Sequence, residues 1–344
     1  MPRDVHHIKS QIVVDSRFDD LIGNLKNVHL PYDPIDVDYS GHYDAVPCGR
    51  VTKMEDDSTY NLNYNNGIEI MNDDNVAICA YDESIVAYGA LEGQAICTSH
   101  ALIYVCKEDY LPVTYVTLKF FTRSETVANA LGNSAIVTNN PSRSSSISTA
   151  KDKMNFLSEY CVDGSILLID GPLIAGDGYT TFIQYVDDFC RRDILSIFFV
   201  KNSNSNMVID NNRELSPKYN SDMHWSGDIL KPGQRTSFFQ YVDIHNPNNS
   251  KVFCYLKFYD NVSPVRVEFP TKVFQKYRNL ASKMIDLAYY LLLVQGDKKN
   301  PQLRPIAVAE KYARETIKVI DVNREMRRAG GLTKTMNEGR WGNL

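Results

Sequence analysis

The stretch Ile166-Leu167-Leu168-Ile169-Asp170-Gly171-Pro172-Leu173 decides the fold. Its aliphatic run fits a strand covered on both faces, the situation of a central strand in a sheet flanked by helices. The run ends in a carboxylate. Gly171-Pro172 then turns the chain, because proline fixes φ and glycine relieves the steric limits on the backbone. Asp170 is therefore predicted to be held at a strand end, where an open α/β sheet forms its ligand-binding crevice. On spacing alone, an aspartate that caps its own turn is the plainer reading.

Working outward, Thr149-Ala150-Lys151-Asp152 has the form of a capping box, with Asp in place of Glu or Gln, and predicts a helix from there to about Cys161. Val162-Asp163-Gly164 is its stop. A second helix over 180–190 and a strand over 195–200 follow, and this alternation implies parallel pairing. Upstream, apolar runs at 76–81, 85–88, 94–106 and 113–122, punctuated by Gly89 and Gly93, read as an antiparallel meander. Between meander and helix, the Ser-, Asn- and Thr-rich stretch 134–150 reads as a mobile loop. Downstream, strands are expected over 251–259 and 265–269. A long helix is expected over 273–294, with Met284, Leu287 and Leu291 on one face, and another over 305–322. The fold class is α/β, a mixed sheet flanked by helices. Residues 1–74, where Pro31, Pro34 and Pro47 interrupt any long helix, form a peripheral region with a short helix over 21–28. Residues 75–322 form the main domain and 323–344 a basic tail.

Composition agrees with a globular chain: 344 residues, 43% hydrophobic and 23% charged, so wholesale disorder is excluded. The longest apolar runs, 194–200 and 288–294, fall short of the ~18–20 residues of a membrane helix. The N-terminus lacks an apolar stretch of the signal-peptide kind. A soluble, cytoplasmic protein without membrane contact is expected. Seven cysteines without a C-x-x-C pair fit reduced thiols rather than a zinc site. The net charge of −5 is uneven: from Lys298 onward eleven Lys/Arg face five acids. A basic segment on an acidic body suggests a contact with nucleic acid or a partner, centred on Arg324-Glu325-Met326-Arg327-Arg328, although a solvated end is an equal reading. No phosphate loop or G-x-S-x-G is present, and none of the histidines has metal-ligand spacing.

Asp82 repeats the arrangement of Asp170, because it too follows an apolar run. Two acids at the ends of neighbouring strands would pair. Mg²⁺ or Mn²⁺ takes a few carboxylates with water and phosphate oxygens, and two such ions ~3.5–4 Å apart can clamp the attacking and leaving oxygens of a phosphodiester. Asp82-Glu83-Ser84 also reads as a hairpin turn, and on a regular strand Glu83 would face away from Asp82. Lys201, at the end of the 195–200 strand, is suited to hold a phosphate as a point charge, or simply faces solvent. Arg266 and Glu268 share one strand face and are suited to pair.

Four blocks now come together in order: Ile166 to Leu173; Ile197-Phe198-Phe199-Val200-Lys201; Pro264-Val265-Arg266-Val267-Glu268-Phe269-Pro270; and Pro305-Ile306-Ala307-Val308-Ala309-Glu310. Over 76–322 the sequence resembles the NurA nuclease family. The resemblance implies an RNase H-like fold and a DNA nuclease (exonuclease and single-strand endonuclease) dependent on Mn²⁺ or Mg²⁺. It also implies a homodimer working with a HerA-like hexameric translocase in DNA end processing or defence. It matches Asp82 and Asp170 to the family's two catalytic, metal-binding aspartates.

The departures are specific. The family's first motif is usually Asp-Gly-Ser, and Glu83 replaces the glycine. The family carries a glutamate on the helix before the second aspartate; here Asp152 and Glu159, seven apart on one helical face, are both candidates. The family's helical histidine and tyrosine are replaced by Glu310 and Gln302. Glu310 remains a candidate ligand that would favour a harder ion, or it pairs with Lys311 or Arg314. These changes leave open a NurA-like scaffold that binds DNA or a motor with altered catalysis. RNA or hybrid substrates also stay open, since nothing in the sequence reveals a contact to a 2′-hydroxyl.

Overall fold

The aliphatic run of Ile166–Asp170 forms a short strand in the middle of one mixed sheet. The computed structural model describes residues 10–25, 49–106, 109–173, 185–201, 203, 205–260, 262–296 and 302–328. Among these, the strands are β1 (Gln11–Val14), β2 (Gly49–Lys53), β3 (Thr59–Asn61), β4 (Ile78–Ala90), β5 (Gly93–Cys106), β6 (Asp109–Thr122), β7 (Ala135–Val137), β8 (Ile166–Asp170), β9 (Leu195–Val200), β10 (Gln234–Thr236), β11 (Phe239–Asp243), β12 (Ser250–Lys257) and β13 (Val265–Pro270). The helices are α1 (Phe18–Asn24), α2 (Tyr64–Met71), α3 (Glu125–Leu131), α4 (Pro141–Tyr160), α5 (Val186–Arg191), α6 (Met207–Asp210), α7 (Asp222–Ile229), α8 (Thr271–Lys276), α9 (Arg278–Gln295), α10 (Arg304–Ile320) and α11 (Val322–Arg328).

The sheet runs β1-β6-β5-β4-β8-β9-β13-β12-β10-β3, with β7 beside β6, and β11 and β2 branching from β12. Its centre is the expected mixture. β4, β5 and β6 form the antiparallel meander, while β4, β8 and β9 are parallel. The mixed sheet flanked by helices agrees with the expected α/β class, with two parallel strands added beside β4 of the meander. Leu167, Leu168 and Ile169 are fully buried, and each such side chain contributes roughly 1.5–3 kcal/mol of transfer free energy.

Helices cover both faces. Strand alternation puts Tyr81, His100 and Tyr115 on one face. There Phe156 of α4 lies against all three rings. The opposite face carries Tyr88, Cys97 and Val116, and Ile317 of α10 packs into that cluster. The site on the sheet is thus set by which face each residue takes.

Several boundaries differ from the sequence reading. β4 is one continuous strand, paired with β5 from Ile78 to Ala90, so Asp82-Glu83-Ser84 is strand interior and not a hairpin turn. The helix expected to open near Thr149 begins at Pro141. Asn140 caps it by accepting from the Arg143 N–H at 3.1 Å, and proline occupies the first turn. The serine-rich stretch is therefore helix, its hydroxyls Ser145 and Ser146 bonded back to the Ser142 carbonyl. The long helix over 273–294 is broken at Tyr277 into α8 and α9. The last helix divides at Asp321, whose φ of 50° is left-handed. The strands of the N-terminal 74 residues join both ends of the sheet: β1 lies along β6, while β2 and β3 pair with β11 and β10. A helix falls at Phe18–Asn24, earlier than expected. Of the helix expected over 180–190, the part from Val186 is α5, while 180–184, the end of the helix expected over 21–28, Cys48, and the tail from 329 lie outside the described residues.

Candidate active site

β4 and β8 run parallel with Tyr81 opposite Ile169, so the next residues, Asp82 and Asp170, are neighbours on one face of the sheet. β9 supplies the third group. Asp170 is opposite Phe199, and Lys201, two residues on, projects from the same face. Its Nζ donates to Asp170 Oδ2 at 2.8 Å. Asp82 is 8% exposed, whereas the Asp170 and Lys201 side chains are 22% and 35% exposed. The pair is open to solvent on the Asp170 side and closed on the Asp82 side. β8 ends beside this point while β4 continues, so the gap at the end of β8 forms the crevice.

Electrostatics follow from the burial. Among the described residues, Asp82 accepts a hydrogen bond from the Glu83 N–H at 2.7 Å. Burial, and secondly the charge of Asp170, push its carboxyl well above the usual carboxylate range; Lys201 opposes them. Two carboxylates this close favour a shared proton or a shared cation over two free charges.

The turn after Asp170 is fixed from below. Gly171 has φ of 89°, which only glycine adopts without strain, and its N–H donates to the Phe199 carbonyl at 2.9 Å. The Leu173 N–H donates to Glu268 Oε2 at 2.8 Å. Glu268 is fully buried and also accepts from Lys251 Nζ at 2.6 Å and Arg266 Nε at 2.7 Å. Arg266 Nη1 donates to Ser203 and Ser205 at 2.7 and 2.5 Å. One buried ion cluster thus grips the segments that follow both Asp170 and Lys201. Burial works against the Glu268 carboxylate, but Lys251 and Arg266 outweigh it and hold the group below its ordinary range. Burial pushes Lys251 down to about 8 despite Glu268. The Arg266–Glu268 pairing was visible in the sequence. Lys251 was not, because it sits at the mouth of an otherwise apolar run.

The other candidates lie elsewhere. Asp152, on α4, is bonded by Lys119 of β6. Lys119 shares the face of Tyr115 and His100, opposite to that of Asp82. The reason is that α4 opens earlier than expected and runs over β5 and β6, which turns Asp152 into the partner of a half-buried lysine. Glu159 is exposed near the end of α4. Glu310 lies on α10, which covers the Asp82 face, but it pairs with Arg314 Nη2 at 2.5 Å and accepts from Gln302 Nε2 at 2.8 Å. Gln302 and Glu310, the two departures, therefore touch each other. Among the described residues, no group of three or more His, Cys, Asp or Glu side chains is arranged to hold a metal ion.

Glu83 faces away from Asp82 as expected and joins a second polar cluster. Tyr81 Oη donates to Glu83 Oε2 at 2.5 Å and lies 2.6 Å from His100 Nδ1. With the hydroxyl proton on Glu83, His100 donates from Nδ1. Burial holds this imidazole neutral, its pKa lowered to about 4. Sequence spacing gave no signal for His100; strand register alone brings it opposite Glu83.

The fold and site define a class: an α/β protein with two aspartates side by side at the crevice of a mixed sheet and a lysine between them and solvent. Residues 162–314 match the model of the NurA domain. Over that segment, somewhat under half of the chain, the sequence is similar to the NurA domain. Asp170, Lys201, Glu268 and Glu310 fall inside the matched segment, and Asp82 precedes it. Among solved structures, the NurA nuclease from Sulfolobus solfataricus is 12% identical with a TM-score of 0.42, over 71% of this chain and 83% of that one. A structure of NurA with manganese is 10% identical, with a TM-score of 0.39 over 71% and 88% of the two chains. One of NurA bound to dAMP and manganese is 10% identical, with a TM-score of 0.36 over 71% and 87%. These TM-scores are all below 0.5, so the similarity to NurA rests on the domain match over 162–314. No curated protein matches the sequence. Among the described residues, no helix is long and apolar enough to cross a membrane.

Proposed function

We propose that this chain is a metal-dependent nuclease that hydrolyses phosphodiesters of DNA at Asp82 and Asp170. The observation that carries the proposal is their adjacency on parallel strands, with one carboxyl raised by burial and by the other's charge. The donor set fits a hard divalent cation. Mg²⁺ is often bound through only one or two carboxylates, with water and substrate phosphate completing the shell, and Mn²⁺ favours the same oxygen donors. Such a cation, when bound, neutralises the carboxylates and polarises the scissile phosphate. The chain's own residues do the rest. Asp82 and Asp170 supply the oxygens. The Glu268 cluster fixes the turn that positions Asp170. Lys201, released from Asp170, is within reach of a phosphate oxygen on the solvent side.

The NurA domain supports further parts of the reading: a cytoplasmic homodimer serving a HerA-like hexameric translocase in DNA end processing or defence, with Mn²⁺ or Mg²⁺ as cofactor. The competing reading is a catalytically altered scaffold that binds DNA or the motor, and the Gln302–Glu310–Arg314 contacts favour it. Cleavage of a labelled single strand with Mn²⁺ separates the two. Wild type cleaves and Asp170→Ala does not under the nuclease reading; wild type is inert under the scaffold reading. Unchanged cleavage by Asp170→Ala removes Asp170 from the site.

A further inference from the structure

The basic C-terminal segment contains two kinds of cation. On α10 and α11, Arg314 is paired with Glu310, Lys318 with Glu315, and Arg324 and Arg328 with Glu325. Arg304 and Lys311 are exposed, and neither has an ion pair or hydrogen bond among the described residues; Lys311 only lies within electrostatic range of Glu315. Both line one open groove of about 650 Å³, together with Tyr110 and Tyr312. That volume suits a nucleotide-sized ligand.

The groove is on the active face. Tyr110 is level with Ile78 through Val105, so Tyr110, Ile78 and Asp82 all project from the same side of the sheet. Asp82 lies four residues along β4, about 13 Å, and two strands across, about 10 Å. This is a span of a few nucleotides. Asp109 and Glu315 also line the groove, so its net charge is small, which suits positioning a strand rather than gripping any polyanion.

We propose that this groove binds the single-stranded nucleic acid that leads to Asp82 and Asp170, with Arg304 and Lys311 on backbone phosphates and Tyr110 and Tyr312 against bases. Aromatic faces accept any base, and cations track the backbone, so binding there is sequence-tolerant. The inference rests on the nuclease reading of the aspartate pair, but its test does not need cleavage.

The test measures binding of a fluorescent 15-nucleotide oligo(dT) to the full chain in EDTA, by anisotropy, over a range of salt concentrations. Arg304→Glu/Lys311→Glu should raise Kd by about tenfold at low salt and reduce the slope of log K against log salt by about 1.4, two phosphate contacts at ~0.7 each. Tyr312→Ala should raise Kd without changing the slope. Lys318→Glu/Arg328→Glu changes the net charge equally but at paired positions, and should alter Kd less than twofold. Circular dichroism confirms that all variants are folded. Equal weakening by both charge variants reduces the effect to bulk charge and overturns the proposal, as does no weakening by either. If the wild type does not cleave DNA, the nuclease reading fails separately, and if Asp170→Ala still cleaves, the placement of the site at Asp170 fails, while the binding comparison stays interpretable.

Discussion

Replacing Asp82 by Asn should make the metal-free protein more stable. The substitution keeps the volume and keeps an oxygen for the Glu83 N–H, but removes a charge that burial and Asp170 both oppose. Adjacent strands are ~4.8 Å apart, and two like charges at about 5 Å and an effective dielectric of ~20 repel by roughly 3 kcal/mol. Lys201 offsets part of this, which leaves about 1–3 kcal/mol. An unfolding entropy of ~2.1 cal/mol/K per residue amounts to about 0.7 kcal/mol/K over this chain, so ~2 kcal/mol raises Tm by about 3 °C. The sign with pH is fixed. The folded pKa of Asp82 is raised above the ordinary 3.8, so the wild type pays no penalty below pH 3.8 and loses stability as pH rises through the folded value. The gain from Asp82→Asn should therefore be present at pH 7 in EDTA and vanish below about pH 4. Saturating Mn²⁺ should reverse the order, because a cation at 100 times its Kd stabilises the wild type by about 2.7 kcal/mol and loses a ligand in the variant. Differential scanning calorimetry at pH 4 and 7, with EDTA or Mn²⁺, reads all four conditions. A variant no more stable than wild type at pH 7 in EDTA would refute the reasoning.

Glu268→Ala leaves Lys251 and Arg266 buried without their shared carboxylate, and should cost about 3–5 kcal/mol in urea unfolding; a loss below ~1 kcal/mol would show that the cluster is not needed. Gly171→Ala forces a side chain into a left-handed turn at φ of 89°, with an expected cost of about 1–2 kcal/mol and a weaker response to Mn²⁺, checked by thermal shift with and without the ion. Lys201→Met frees Asp170 from its present partner, so half-saturation by Mn²⁺ should fall while kcat/KM on DNA drops about tenfold or more; a rise in kcat/KM would remove Lys201 from phosphate contact.

How much of this was readable in advance varied by residue. The run 166–169 showed its strand, because a continuous aliphatic segment ending at Gly171-Pro172 leaves little other choice. β9 was placed to the residue for the same reason. Asp82 was flagged, but with the wrong local structure. Its neighbours Glu83 and Ser84 look like turn residues, whereas tertiary context keeps them in a strand whose full length is paired with β5. The start of α4 was missed because serines mask a helix that Asn140 and Pro141 open. Asp152 was misplaced with it, since the residues a helix offers to a site depend on where the helix crosses the sheet. Lys251 and His100 had no local signature at all; strand register, a long-range property, assigns them their partners.

The central claim is that Asp82 and Asp170 share one divalent cation. A crystal soaked with Mn²⁺ and measured at the manganese absorption edge tests it most directly. The account predicts an anomalous peak liganded by both carboxylates, with the Lys201 ammonium withdrawn from Asp170. A peak elsewhere, or none at saturating Mn²⁺ with the Lys201–Asp170 contact intact, would contradict it.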